Sequence, residues 1–149
     1  MRSVLVSWQL WALLSAVFAA LTAVLAKVGV EGVDPDVATF VRTGVIFLGL
    51  AALLAGTGGW QAGSSASGSL SGRSWAFLVL SGLATGASWL CYFRALKLGD
   101  AARVAPIDKL SVVLVAVFGV CFLGEKLGWH NWLGIALIAA GAVLVAWQR

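Results

Sequence analysis

Residues 105–123 read APIDKLSVVLVAVFGVCFL, and this stretch decides the fold. At about 1.5 Å per residue a helix of this length crosses close to 30 Å, the thickness of a bilayer's hydrocarbon core. Lipid offers no partner to exposed backbone N–H and C=O groups, so such a segment must satisfy its own as a helix. Near its start stand an adjacent acid and base, Asp108 and Lys109. Charge near hydrocarbon is costly, and residues of this kind serve either a pathway or a fixed ion pair.

Working outward, four more apolar runs of similar length fill most of the chain. The expected helices lie at about 6–26, 37–55, 75–96, 105–123 and 129–147, in a single domain over 1–149. Closed barrels would show short alternating strands, and none are visible. The reading is an all-α integral membrane protein with five transmembrane helices, multi-pass in the cell (inner) membrane. Composition agrees: 61% of the 149 residues are hydrophobic and 11% charged, where soluble proteins average about 25% charged.

The formal net charge of +4 does not indicate a nucleic-acid partner, because the ten basic residues are scattered at segment ends. There they snorkel and set topology. With five spans the termini face opposite sides. Arg2, Arg73 and Lys126 fall on one side, and Lys27, Arg94, Lys97, Arg103 and Arg149 on the other. This leans towards a cytoplasmic C-terminus by so few charges that insertion in both orientations is compatible with it. The first apolar run exceeds the 7–15 residues of a signal-peptide core, so it is expected to remain as a helix.

The connections are short except one. Gly29–Asp36 contains Pro35, expected near the start of the second helix, where its missing N–H costs nothing. Residues 56–74 are nearly all Gly, Ser and Ala, with Trp60 and Arg73 among them, and read as a flexible tether. Gly99-Asp100 is a turn signal, and Glu125-Lys126 lies between two glycines. Small residues recur every fourth position: Ala12, Ala16 and Ala20 in the first helix, Gly82 and Gly86 in the third, Ala136 and Ala140 in the fifth. Such stripes let helix backbones approach closely, within one chain or between two. Trp129, Trp132 and Trp147 bracket the last helix as aromatic belts do.

Candidate binding residues are few. In an unbroken helix Asp108 and Lys109 point about 100° apart and need not pair with each other. Arg42 or Arg94 is then an available partner for Asp108, while Lys109 faces a pore. The alternatives are a fixed ion pair or interfacial snorkelling on one hand, and a substrate- or ion-sensing pair lining a cavity on the other. Pro106 is placed in the first turn of that helix, where it is tolerated. Arg42, beside Thr39 and Thr43, reads either as a snorkelling cation or as a contact for a carboxylate through its planar guanidinium. Thr85, Trp89, Tyr92 and Phe93 share one face of the third helix by i, i+3, i+4 spacing. That face is either packing or a wall suited to organic substrates and cations.

No catalytic residues, cofactor or metal are implied. There is one histidine, and there is no nucleophile elbow, glycine-rich phosphate loop or metal-ligand cluster. Cys91 and Cys121 fall within apolar runs and read as small packing residues, not a disulfide.

Two stretches carry a resemblance: WALLSAVFAALTAVLAKVGVEGVDPDVATFVRTGV at 11–45, and SGLATGASWLCYFRALKLGDAARVAPIDKLSVVLVAVFGVCFLGEKL at 81–127. Together they resemble the EamA-type repeat of the drug/metabolite transporter superfamily, over about Trp8 to Val145. The most specific parts are the Arg42 segment, Tyr92 with Ala95 and Leu96, and Gly124-Glu125-Lys126. Most such relatives carry two five-helix repeats in opposite orientations, whereas this chain carries one and resembles the short bacterial and archaeal group. It departs from the four-helix multidrug exporters, whose functional acid lies in helix 1; here helix 1 offers only Ser15, Thr22 and Lys27.

The resemblance implies a secondary transporter of small metabolites or drug-like solutes. Its site would lie near the midplane, and access would alternate by rocking. A single repeat achieves this by pairing, as an antiparallel homodimer or with an oppositely oriented partner. On that reading Asp108 and Lys109 serve coupling or charge recognition, with Arg42, Trp89, Tyr92 and Thr85 as further substrate contacts. Two other readings remain: a non-transporting membrane subunit of a larger complex, and a flippase of lipid-linked sugars.

Overall fold

A computed structural model describes residues 8–59 and 71–147. The chain is helical throughout these residues: α1 (Trp8–Gly29), α2 (Pro35–Gly56), α3 (Gly72–Leu98), α4 (Ala101–Asp108), α5 (Ser111–Phe122) and α6 (Trp129–Ala146). Five spans are long and apolar enough to cross a membrane, with Ala101–Phe122 acting as one of them. Large apolar side chains along these spans stand outside, among them Phe40, Phe47 and Leu144. Each would cost about 1.5–3 kcal/mol to leave in water, so lipid is the solvent that this surface suits. The expected Gly/Ser tether at 56–74, with Trp60, lies mostly outside the described residues, as do Arg2 and Arg149.

The chain divides into two compact units, Gly29–Arg94 and Met1–Val28 with Ala95–Arg149. The first holds α2 and most of α3. Helix α2 starts at Pro35, two residues before the expected 37, because Asp34 and Pro35 supply both halves of an N-terminal signal. The Asp34 carboxylate accepts from the N–H of Asp36 at 2.8 Å and of Val37 at 3.3 Å, and Pro35 occupies the first turn. The Thr39 and Thr43 hydroxyls each donate to the carbonyl four residues back, at 2.8 Å. Neither alcohol is therefore left bare at membrane depth. In the first turn of α2 the Asp36 carboxylate also binds Arg94 of α3 at 2.9 Å.

The second unit holds α1, the end of α3, and α4 to α6. Helix α6 lies along both α4 and α5. One long-range bond set organises the unit: the Lys27 ammonium donates to the carbonyls of Leu96 at 2.8 Å and Gly99 at 2.9 Å. The last carbonyls of a helix have no partner within it, and a cation there also meets the negative end of the dipole. Lys27 thus caps α3 from the last turn of α1. Leu96 is fully buried at the same place.

The fourth span departs from the expected single helix at 105–123. It starts at Ala101, with Asp100 at the N-cap, and is interrupted at Lys109 and Leu110. Pro106 consequently lies inside α4, past its first turn. Having no N–H, it leaves the Ala102 carbonyl without its rung. At the interruption the ladder tightens to three-residue spacing: Leu110 donates to Ile107, Val112 to Lys109 and Val113 to Leu110. Helix α5 ends at Phe122, Gly124 with φ of +70° turns the chain away beyond it, and the Glu125 N–H returns to the Gly119 carbonyl at 3.0 Å. A side chain at Gly124 would be strained.

Candidate functional site

In the first unit the guanidinium carbon of Arg42 on α2 lies 4.2 Å from the Trp89 ring centroid and 5.6 Å from that of Phe93, both on α3. Trp89 and Phe93 are one helical turn apart and therefore share a face. Cation–π contacts contribute about 0.5–1 kcal/mol when exposed and about 2 kcal/mol when desolvated. Arg42 is half-buried, which places this pair between those limits. The aromatic face thus holds a protein cation. The guanidinium fork itself is a group matched to carboxylate and phosphate.

The other wall residues divide. Tyr92 is half-buried beside Phe93 in sequence, while Thr85 is exposed and its hydroxyl donates to the Ser81 carbonyl at 2.9 Å. Thr85 therefore presents only acceptor capacity to anything outside its helix.

In the second unit Lys109 binds the Asp108 carboxylate at 3.2 Å. Consecutive residues of a regular helix do not face each other. They meet here because Asp108 closes α4 and Lys109 already lies in the interruption. Of the two partners the sequence makes available to Asp108, Arg94 binds Asp36 and Arg42 stacks on Trp89. Asp108 also lines a cleft of about 530 Å³, together with Ile107, Leu110, Ser111 and Leu114 and with Ala139 of α6. The cleft is otherwise apolar, so a single carboxylate and the Ser111 hydroxyl supply its chemistry. Asp108 lies about 11 Å along the span from Ala101, counted at about 1.5 Å per residue.

Sequence reading missed Lys27, whose partners lie 69 and 72 residues away and leave no local trace. No group of three or more His, Cys, Asp or Glu side chains that could hold a metal occurs among the described residues.

Five apolar spans with a few charges placed at helix ends, on an aromatic face and at a helix break describe a multi-pass membrane protein. A family described as the EamA-like transporter family matches residues 6–147, and the chain belongs to it. A Sinorhizobium sp protein called "Uncharacterized transporter in cobO 3'region" is 68% identical over 140 residues, 94% of this chain and 96% of that relative. The transporter YxxF of Bacillus subtilis is 30% identical over 141 residues, 94% of this chain but 42% of its own length. A probable 4-amino-4-deoxy-L-arabinose-phosphoundecaprenol flippase subunit, ArnE of Aeromonas hydrophila, is 32% identical over 69 residues, 46% of this chain and 60% of the relative. No solved structure matches the chain significantly.

Proposed function

We propose that this chain is one half of an alternating-access secondary transporter for small metabolites or drug-like organic solutes. It works in the cell membrane as two oppositely oriented copies. The observation that carries this reading is the Bacillus relative, in which nearly all of this chain spans less than half of the longer transporter. Transporters built from inverted repeats bind at the repeat interface near the midplane, often where a helix is discontinuous. The interruption beside Asp108 and Lys109 suits that role. Uncovered small residues add support: a side chain added at Gly82 or Gly86 would meet nothing within 4 Å, leaving room for a second helix. In this scheme Asp108 and Lys109 couple transport to charge, and Arg42 on its aromatic bed meets anionic groups of the solute.

The test is topology. Cys91 and Cys121 are exposed and free, so both are first replaced by serine, and Ser71→Cys is then labelled from each face of intact cells. Comparable labelling from both faces supports the antiparallel pair. Labelling from one face alone rejects it, in favour of a parallel assembly or a separate, oppositely oriented partner.

A second reading has its own support, since the Aeromonas relative is described as a flippase subunit. On it the chain moves a lipid-linked sugar with a different subunit. Stable co-purification with another membrane protein, and no solute flux from the isolated chain, would favour it.

A further inference from the structure

The second unit carries a further groove beside Arg103 that adjoins the cleft lined by Asp108. Between the end of α3, α4 and the end of α6, about 290 Å³ of space is lined by Ala95, Arg103, Val104, Ile107 and Ala146. Ile107 also lines the cleft that continues to Leu114 and Ala139. The two spaces therefore follow one another along α4 and α5, with α6 as the facing wall. From Arg103 to Leu114 the path covers about 16 Å at about 1.5 Å per residue. That is about half of a hydrocarbon core of about 30 Å. The groove begins near the Gly99-Asp100 turn that connects α3 to α4, at one end of the Ala101–Phe122 span, and reaches the middle of that span.

Its open end is charged and the rest is almost wholly apolar. Arg103 is exposed and has no ion pair among the described residues. In the same unit Lys27 is engaged by the Leu96 and Gly99 carbonyls. A free guanidinium at the interface above an apolar trough one leaflet deep is complementary to one amphiphile, an anionic phospholipid. We propose that this groove is a phospholipid site, with Arg103 holding the phosphate and one acyl chain lying between α4–α5 and α6. The proposal rests on the lining of the groove and not on which solute is carried, and the deep end of the groove is the cleft that Asp108 lines.

The experiment uses the full chain reconstituted in phosphatidylcholine bilayers. Spin-labelled phosphatidylglycerol or phosphatidylcholine is added, and the motionally restricted fraction is read by electron spin resonance. The wild type should prefer phosphatidylglycerol, and Arg103→Gln should lower that preference about fivefold, the order expected for one basic residue at an anionic surface. Arg103→Lys should retain it. Ala139→Trp, which keeps Arg103 but fills the trough, should lower the restricted fraction of both lipids. An unchanged preference in Arg103→Gln overturns the proposal. So does an Ala139→Trp protein that keeps its restricted lipid but changes its oligomeric state, because the trough would then belong to a second copy.

Discussion

The Arg42 guanidinium rests on the face of Trp89, 4.2 Å from its centroid, so α2 and α3 are joined by a cation and a ring as well as by the Arg94–Asp36 ion pair. A ring leaves the positive charge intact, whereas a carboxylate would cancel it. The contact holds Arg42 in place and keeps it available to an anion.

A double-mutant cycle on Arg42→Gln and Trp89→Leu should therefore give a coupling of about 0.5–2 kcal/mol in detergent unfolding. Trp89→Phe should keep much of it. Zero coupling would mean that the two side chains are neighbours without interaction. In flux assays Arg42→Gln should weaken uptake of anionic solutes more than of neutral ones.

Lys27→Met should destabilise the fold by about 1.5–3 kcal/mol, the usual range for hydrogen bonds to a charged group. The carbonyls of Leu96 and Gly99 lose their donor at once, and methionine conserves the apolar stem. Unfolding in mixed micelles of rising denaturing-detergent fraction measures the loss. Lys27→Arg should recover part of it, because a guanidinium can also donate twice but from a wider head.

Replacing Pro106 with alanine should raise stability by about 1–3 kcal/mol, since an N–H returns to the Ala102 carbonyl. The same change should reduce flux if the interrupted span is part of the moving machinery. Thermal melting and uptake by one reconstituted preparation separate the two effects. A variant that melts higher and transports normally would remove the interruption from the mechanism.

Asp108→Asn should abolish transport while the protein still inserts and purifies at wild-type yield. The amide keeps the shape but neither carries the charge nor pairs ionically with Lys109. Wild-type flux would take Asp108 out of the coupling role.

The membrane class and the number of spans are legible in the sequence because apolar runs and lipid thickness fix them with little tertiary information. The start of α2 is legible for a local reason, Asp34 before Pro35. Helix α4 was misplaced by looking only at hydropathy: Ala101 and Ala102 are good helix formers behind an available N-cap at Asp100, but the apolar run itself begins later. Once the helix starts at Ala101, Pro106 is an interior proline and an irregular span is the natural outcome. The partners of the charged residues were not legible. Nothing local distinguishes Asp36 from Asp108 as the acceptor for Arg94, or marks the ring of Trp89 as the seat of Arg42.

The interruption at Lys109 and Leu110 also bears on how the chain enters the bilayer during synthesis. A lone ionised side chain at the centre of a nascent span costs about 2.5–3.5 kcal/mol to partition from the insertion machinery into lipid. Asp108 and Lys109 are bonded to each other and sit off-centre, so the pair can enter as a net-neutral unit with no earlier helix in place. The pair need not wait for a tertiary partner, and this span, as apolar as the first two, can partition in the order in which it leaves the ribosome.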